Sequence, residues 1–167
     1  HIVRHPKDYV HSHIDHGFWQ GLKRIVFQYG PFWDETRNLS KPDPNDPIMI
    51  LIARWYIVNT AISDFGEKNK YRLVRFEDLF STNARIANNT INSIRGFLGE
   101  ADLGIDENMK WRGIRVNKST NNLWNKYKFG STHEQYLWDL CGKLMSEYGY
   151  VLFVVVLFFS FPPVILS

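Results

Sequence analysis

Cysteine is nearly absent: Cys141 is the only one in 167 residues. An internal disulfide and a cluster of zinc-binding thiolates are both excluded. Charge of one sign is equally scarce, with a formal net charge of +3 and no run of Lys and Arg interleaved with aromatic residues. That speaks against a nucleic-acid platform and leaves an anionic small ligand compatible with the mild positive balance. No internal repeat is visible. Aromatic residues, by contrast, are plentiful: 12 Phe, 8 Tyr and 6 Trp. This is a globular composition, and the length suits one domain with a sizeable core. The chain opens at His1, inside what reads as a strand, with no initiator Met and no targeting segment. The expectation is a fragment that lacks its N-terminal part.

The order of elements reads as strand, helices, strand, helices. "HIV" is the end of a buried strand, and Pro6 suits the first turn of a helix, where its missing N–H costs nothing. Val10, Ile14, Phe18, Leu22 and Ile25 then follow a helical period. Residues 29 to 47 are dense in Pro, Asp and Asn and predict a loop. Asp46-Pro47 supplies an N-cap and a first-turn Pro for the apolar helix "IMILIARWYIVNTAISDF". "YRLVRF" (71 to 76) predicts a short buried strand. A third helix follows, with Ala87, Thr90, Ile91, Ile94, Phe97 and Leu98 on one face. Residues 99 to 130 are polar and irregular. Ser131 and Glu134 then form a capping box for the last helix. The pattern predicts an α/β layer fold with a parallel sheet.

The stretch "RHPKDYVHSHIDHGFW" (4 to 19) carries two incompatible chemistries. Its second half spells H-x-H-x-D-H, the zinc signature of metallo-β-lactamase-like hydrolases. Those residues fall within a helical pattern, where His11 and His13 lie about 200° apart and cannot share an ion. His13 and His16 can. Such hydrolases also need two further histidines and an aspartate downstream, and only His133 follows residue 16. No metal is expected. The first half places an Arg at a strand end and a Ser eight residues later. Arg4 can grip a phosphate through its planar fork, and Ser12, two turns into the helix, can donate its hydroxyl to the same group. The first-turn N–H groups and the helix dipole favour negative charge nearby.

Four blocks in order and spacing then resemble the sulfotransferases that depend on 3'-phosphoadenosine 5'-phosphosulfate (PAPS). They are "RHPKDYVHS", "YRLVRFEDL", Phe97-Leu98-Gly99, and "VNKSTNNLWNKY…STHEQYLWDLCGKLMSEYGY". The resemblance covers roughly residues 1 to 150. It implies a parallel-sheet fold like that of P-loop nucleotide kinases, with its N-terminal part missing, and transfer of a sulfuryl group from PAPS to a hydroxyl or amine. It further implies that Arg4 and Ser12 bind the 3'-phosphate. In the loop "KWRGIRVNKST", which closes over the nucleotide in family members, Lys110, Arg112, Arg115 and Lys118 are candidate phosphate contacts, against an ordinary solvated basic loop.

Two departures stand out. Phe76 replaces the tyrosine of the family's R-Y-E-D block, keeps the ring and loses the hydroxyl, and is left out of the site. The family's 5'-phosphosulfate loop and catalytic His or Glu would precede His1, so the catalytic residues are expected upstream. Glu77 and Asp78 are read as capping and bracing the helix that follows them. A non-catalytic nucleotide-binding relative of the same fold is the alternative.

The acceptor, whether small molecule, carbohydrate or protein, is not specified, although the loop at 29 to 47 is the segment expected to face it. Residues 151 to 167, "VLFVVVLFFSFPPVILS", are read as lying outside the domain and as the only route to membrane association. Sequons at Asn38, Asn88 and Asn117 fit a Golgi lumen no better than the cytoplasm.

Overall fold

A computed structural model describes residues 1–15, 19–29, 31, 38–99 and 127–150. The described residues form, in order, β1 (Ile2–Val3), α1 (Pro6–Asp15), α2 (Trp19–Tyr29), α3 (Pro47–Lys68), β2 (Val74–Arg75), α4 (Phe76–Leu79), α5 (Ala84–Leu98) and α6 (Ser131–Glu147). They are mostly helical, with one small parallel sheet. In that sheet Ile2 pairs with Val74 and Val3 with Arg75. A parallel pair needs a long crossover, and α1 to α3 supply it.

Both strands are shorter than the sequence suggests. Val3 is 2% exposed but Ile2 is 58% exposed, so β1 buries alternate residues and not a continuous run. The expected strand at 71–76 contracts to Val74–Arg75, because Phe76 already begins the helical turn α4. The helical period expected from Val10 to Ile25 resolves into two helices. On α1 the buried stripe is Pro6, Val10 and Ile14. On α2 it shifts to Leu22 and Val26, and Ile25 is 41% exposed. Phe18 lies outside the described residues.

The centre of the core is α3. Ile48, Ile50, Leu51, Ile52, Ala53 and Trp55 are all buried, so its N-terminal half is enclosed all round by α1, α2 and α6. That explains why a helix of this length and mean hydropathy, enough to cross a bilayer, reads here as a core helix. Its start is as the sequence predicts. Asp46 Oδ1 accepts the N–H groups of Ile48 and Met49 at 2.8 and 3.2 Å, with Pro47 in the first turn.

α6 starts differently. Gly130, not Ser131, is its N-cap, and His133 Nδ1 accepts the Gly130 N–H at 2.9 Å. The His133 Nε2–H donates to Asp46 Oδ2 at 2.7 Å, so one carboxylate caps α3 and anchors α6. Glu134, freed from capping, takes Lys7 at 2.6 Å and the Trp138 indole N–H at 3.0 Å. α5 packs against α4, and Ala87 is its one buried residue. Leu98, expected on its apolar face, is 64% exposed, just before the left-handed cap Gly99 (φ 79°).

Asp46 therefore has two separable roles. Asp46→Ser keeps an acceptor for the first-turn amides and loses the carboxylate that His133 meets; Asp46→Ala loses both. Loss of an N-cap costs about 0.5–2 kcal/mol. In urea denaturation Asp46→Ala is expected to lower stability by at least that amount, and Asp46→Ser by less. Equal losses in the two variants would show that capping contributes nothing.

Candidate functional site

The register of the sheet decides what surrounds Arg4. With Val3 opposite Arg75, the next residues along the strands, Arg4 and Phe76, emerge side by side. The Arg4 guanidinium lies over the Phe76 ring, 5.0 Å from its centroid, in a cation–π contact. Its backbone is fixed separately, by the Trp55 indole N–H donating to Arg4 O at 2.9 Å. Among the described residues no carboxylate pairs with Arg4. Arg75, one residue before Phe76, is the opposite case. Its Nε and Nη2 grip both oxygens of Asp78 at 2.7 and 2.8 Å, and Nη1 donates to Gly149 O at 2.8 Å. The Asp78 hydrogen bonds hold the Arg75 pKa above its ordinary value. Arg75 is consumed by structure and Arg4 is not.

The start of α1 is satisfied from within. Glu77 Oε1 accepts the His5 N–H at 2.7 Å, and His5 Nδ1 accepts the Lys7 N–H at 3.2 Å. Pro6 has no N–H to offer. The negative charge expected at this helix terminus is thus supplied by Glu77, and these amides are not left open for a ligand. The Tyr150 hydroxyl meets the other oxygen of Glu77 at 3.0 Å and lies 3.3 Å from Val3 O. Burial, reinforced by the Glu77 charge, pushes the Tyr150 phenol well above its usual range, so it stays a protonated donor. Glu77 therefore braces α1 and not, as the sequence suggests, the helix that follows it; Asp78 pairs with Arg75 instead.

Ser12 lies two turns into α1, on the face shared with Asp8 and turned away from the buried stripe. It is partly exposed, and its hydroxyl has no partner among the described residues. Arg4 stands at the end of β1 and Ser12 two turns along α1, each side chain without a hydrogen-bond partner among the described residues. Lys110, Arg112, Arg115 and Lys118, with Trp111 and Trp124, lie outside the described residues. The same holds for residues 151 to 167. A separate groove of about 360 Å³ runs between β2 and α5, lined by Arg72, Val74, Arg75, Asp78, Asn89 and Ser93 among others; Arg4 and Ser12 are not in it.

On α1 the histidines turn to different neighbours. His11 Nε2 faces Asp15 at 3.5 Å, whereas the His13 Nδ1–H donates to Tyr9 O at 2.9 Å and its ring lies 3.9 Å from that of Tyr9. Among the described residues no three His, Cys, Asp or Glu side chains are grouped to hold a metal ion; His16 is outside them.

Phe76 is the residue that sequence reasoning undervalued. Judged by its missing hydroxyl it looked dispensable, yet its ring face is what Arg4 rests on, and a ring needs no hydroxyl for that. Comparison with known protein families, with curated proteins and with solved structures finds no match to this chain.

His5 gives the junction a pH dependence. Burial lowers its pKa below 6.5, against the opposing pull of Asp8 and Glu77. The folded protein thus prefers neutral His5, whose Nδ1 is an acceptor. Its contribution to stability is complete above pH 6.5 and is lost as the pH falls from 6.5 through the folded-state pKa. His5→Asn retains a side-chain acceptor without the titration. Its stability is expected to fall less steeply than that of the parent below pH 6.5 in urea denaturation series. Parallel curves for the two proteins would contradict this.

Proposed function

We propose that this chain is part of a sulfotransferase and holds the 3'-phosphate of PAPS at the junction of β1 and α1. The finer fold belongs to the same proposal: the two-stranded parallel sheet is the described portion of a larger parallel sheet of the P-loop-kinase kind. One observation carries most of the weight. Two blocks that resemble the same family, "RHPKDYVHS" and "YRLVRFEDL", are far apart in sequence and are paired side by side in space. Their meeting leaves Arg4 with an aromatic rest and no counter-charge among the described residues, beside a helix that carries the unpartnered Ser12 hydroxyl.

In the reaction proposed, an acceptor oxygen or nitrogen attacks the sulfur of PAPS in line. The bond from sulfur to the 5'-phosphate oxygen breaks, adenosine 3',5'-bisphosphate leaves, and the acceptor proton passes to a base. Arg4 and Ser12 act by positioning: a nucleotide held by its 3'-phosphate presents its other end in a fixed direction, and such fixation is a large part of catalysis in group transfer. Lys110, Arg112, Arg115 and Lys118 are proposed as further phosphate contacts from their loop. The acceptor, on a small molecule, carbohydrate or protein, would be faced by the segment at 29 to 47.

The test is nucleotide selectivity. The chain is expected to bind adenosine 3',5'-bisphosphate much more tightly than adenosine 5'-monophosphate in calorimetric titration. A charge-assisted contact is worth about 1.5–3 kcal/mol, so Arg4→Ala should weaken the bisphosphate about ten- to a hundredfold. Ser12→Ala should cost less, up to about tenfold. Neither change should much affect the monophosphate, whereas misfolding would weaken both ligands together. Equal affinity of the unmutated chain for the two nucleotides would remove the basis of the proposal.

A further inference from the structure

Arg54 is a second arginine whose charge the fold does not balance. It sits on α3, one residue before Trp55, and points at α1. Its Nη1 donates to the Tyr9 hydroxyl, and its guanidinium carbon lies 5.9 Å from the Tyr9 ring centroid. Its Nε–H is buried with no acceptor. Among the described residues no carboxylate pairs with it. A guanidinium stays charged at every accessible pH, so burial cannot be relieved by losing a proton. One neutral hydroxyl is weak compensation for a partly buried cation, and an unmet buried donor is costly in itself.

The surroundings are built to hold the side chain in place. The Tyr9 hydroxyl oxygen accepts from Arg54, which leaves its own proton to donate to something else. Tyr9 is half-buried, with the His13 ring packed on it and its backbone N–H bonded to His5 O at 2.9 Å. A fixed guanidinium edge and a neighbouring O–H donor are the complement of a small oxyanion. The location adds to this. Tyr9 and Ser12 are i and i+3 on α1, so Arg54 adjoins the face that carries Ser12, on the side toward α3.

We propose that Arg54 and Tyr9 form an oxyanion-binding site in the seam between α1 and α3, taking a sulfate, phosphate or carboxylate group. This site does not depend on Arg4. The oxyanion has two possible sources: a phosphate of the same nucleotide that Arg4 and Ser12 hold, or an anionic group on a separate molecule such as the acceptor.

The experiment titrates the 167-residue chain with sodium sulfate, against sodium chloride at matched ionic strength, while the backbone amide signals of α1 and α3 are followed by NMR. A saturable shift is expected. Arg54→Met should weaken sulfate binding at least about tenfold and Tyr9→Phe several-fold. Tyr9→Phe keeps the ring and its packing, so it carries the test if Arg54→Met fails to fold. A shift that never saturates, or sulfate affinity unchanged in Tyr9→Phe and in folded Arg54→Met, would overturn the proposal. Saturating adenosine 3',5'-bisphosphate then separates the sources. Displacement of sulfate from Arg54 assigns the group to the nucleotide, and retention assigns it to a second molecule. If the chain shows no preference for the bisphosphate, the sulfotransferase reading fails while the sulfate titration still decides this site.

Discussion

The Glu77 carboxylate accepts the His5 amide at 2.7 Å and the Tyr150 hydroxyl at 3.0 Å, and so ties the start of α1, the end of β2 and the segment beyond α6 to one point. Both bonds are charge-assisted, and the first places a negative charge at a helix N-terminus, where the dipole favours it. The described sheet consists of two residue pairs, too few to hold the strands together unaided. Glu77 and the indole of Trp55 bond to backbone on either side of the peptide between Arg4 and His5. Both polar groups of that peptide are thus fixed, and the Arg4 guanidinium lies over Phe76. Without that anchorage the guanidinium would be one more flexible surface charge.

Three arginines near this junction show how different the same side chain becomes in different settings. Arg75 is closed into a fork with Asp78 and a bond to Gly149 O, and holds the end of the fold in place. Arg4 is presented on an aromatic ring with its N–H groups unspent. Arg54 is inserted between α1 and α3 with only a phenol for company. Charge count alone, at +3 for the whole chain, says nothing of this. What distinguishes the three is whether a carboxylate has been placed within reach, and the fold places one only for Arg75 among the described residues.

Much of the local structure was legible because it is decided locally. Asp46-Pro47 specifies a helix start by its own hydrogen bonds and dihedral angle, and α3 begins there. The stripe of Pro6, Val10 and Ile14 on α1 likewise follows from helical period alone. What escaped was decided by partners distant in sequence. Glu77 reads as a brace for the helix that follows it until β1 lies alongside β2 and offers it the His5 amide. Glu134 reads as half of a capping box until Lys7 comes within 2.6 Å. Phe76 reads as a tyrosine that lost its function until the register sets it under Arg4. Arg54, within an apolar helix, gave no signal in the sequence, because the absence of a counter-charge is a property of packing.

The most direct measurement is crystallographic: the position of the 3'-phosphate in crystals of the chain grown with adenosine 3',5'-bisphosphate. If Arg4 is presented for that group, the phosphate oxygens will lie within hydrogen-bonding distance of the Arg4 guanidinium and the Ser12 hydroxyl, with the Glu77 bond to His5 intact. A phosphate bound instead in the groove between β2 and α5, against Arg72 and with Arg4 still resting on Phe76 alone, would contradict it.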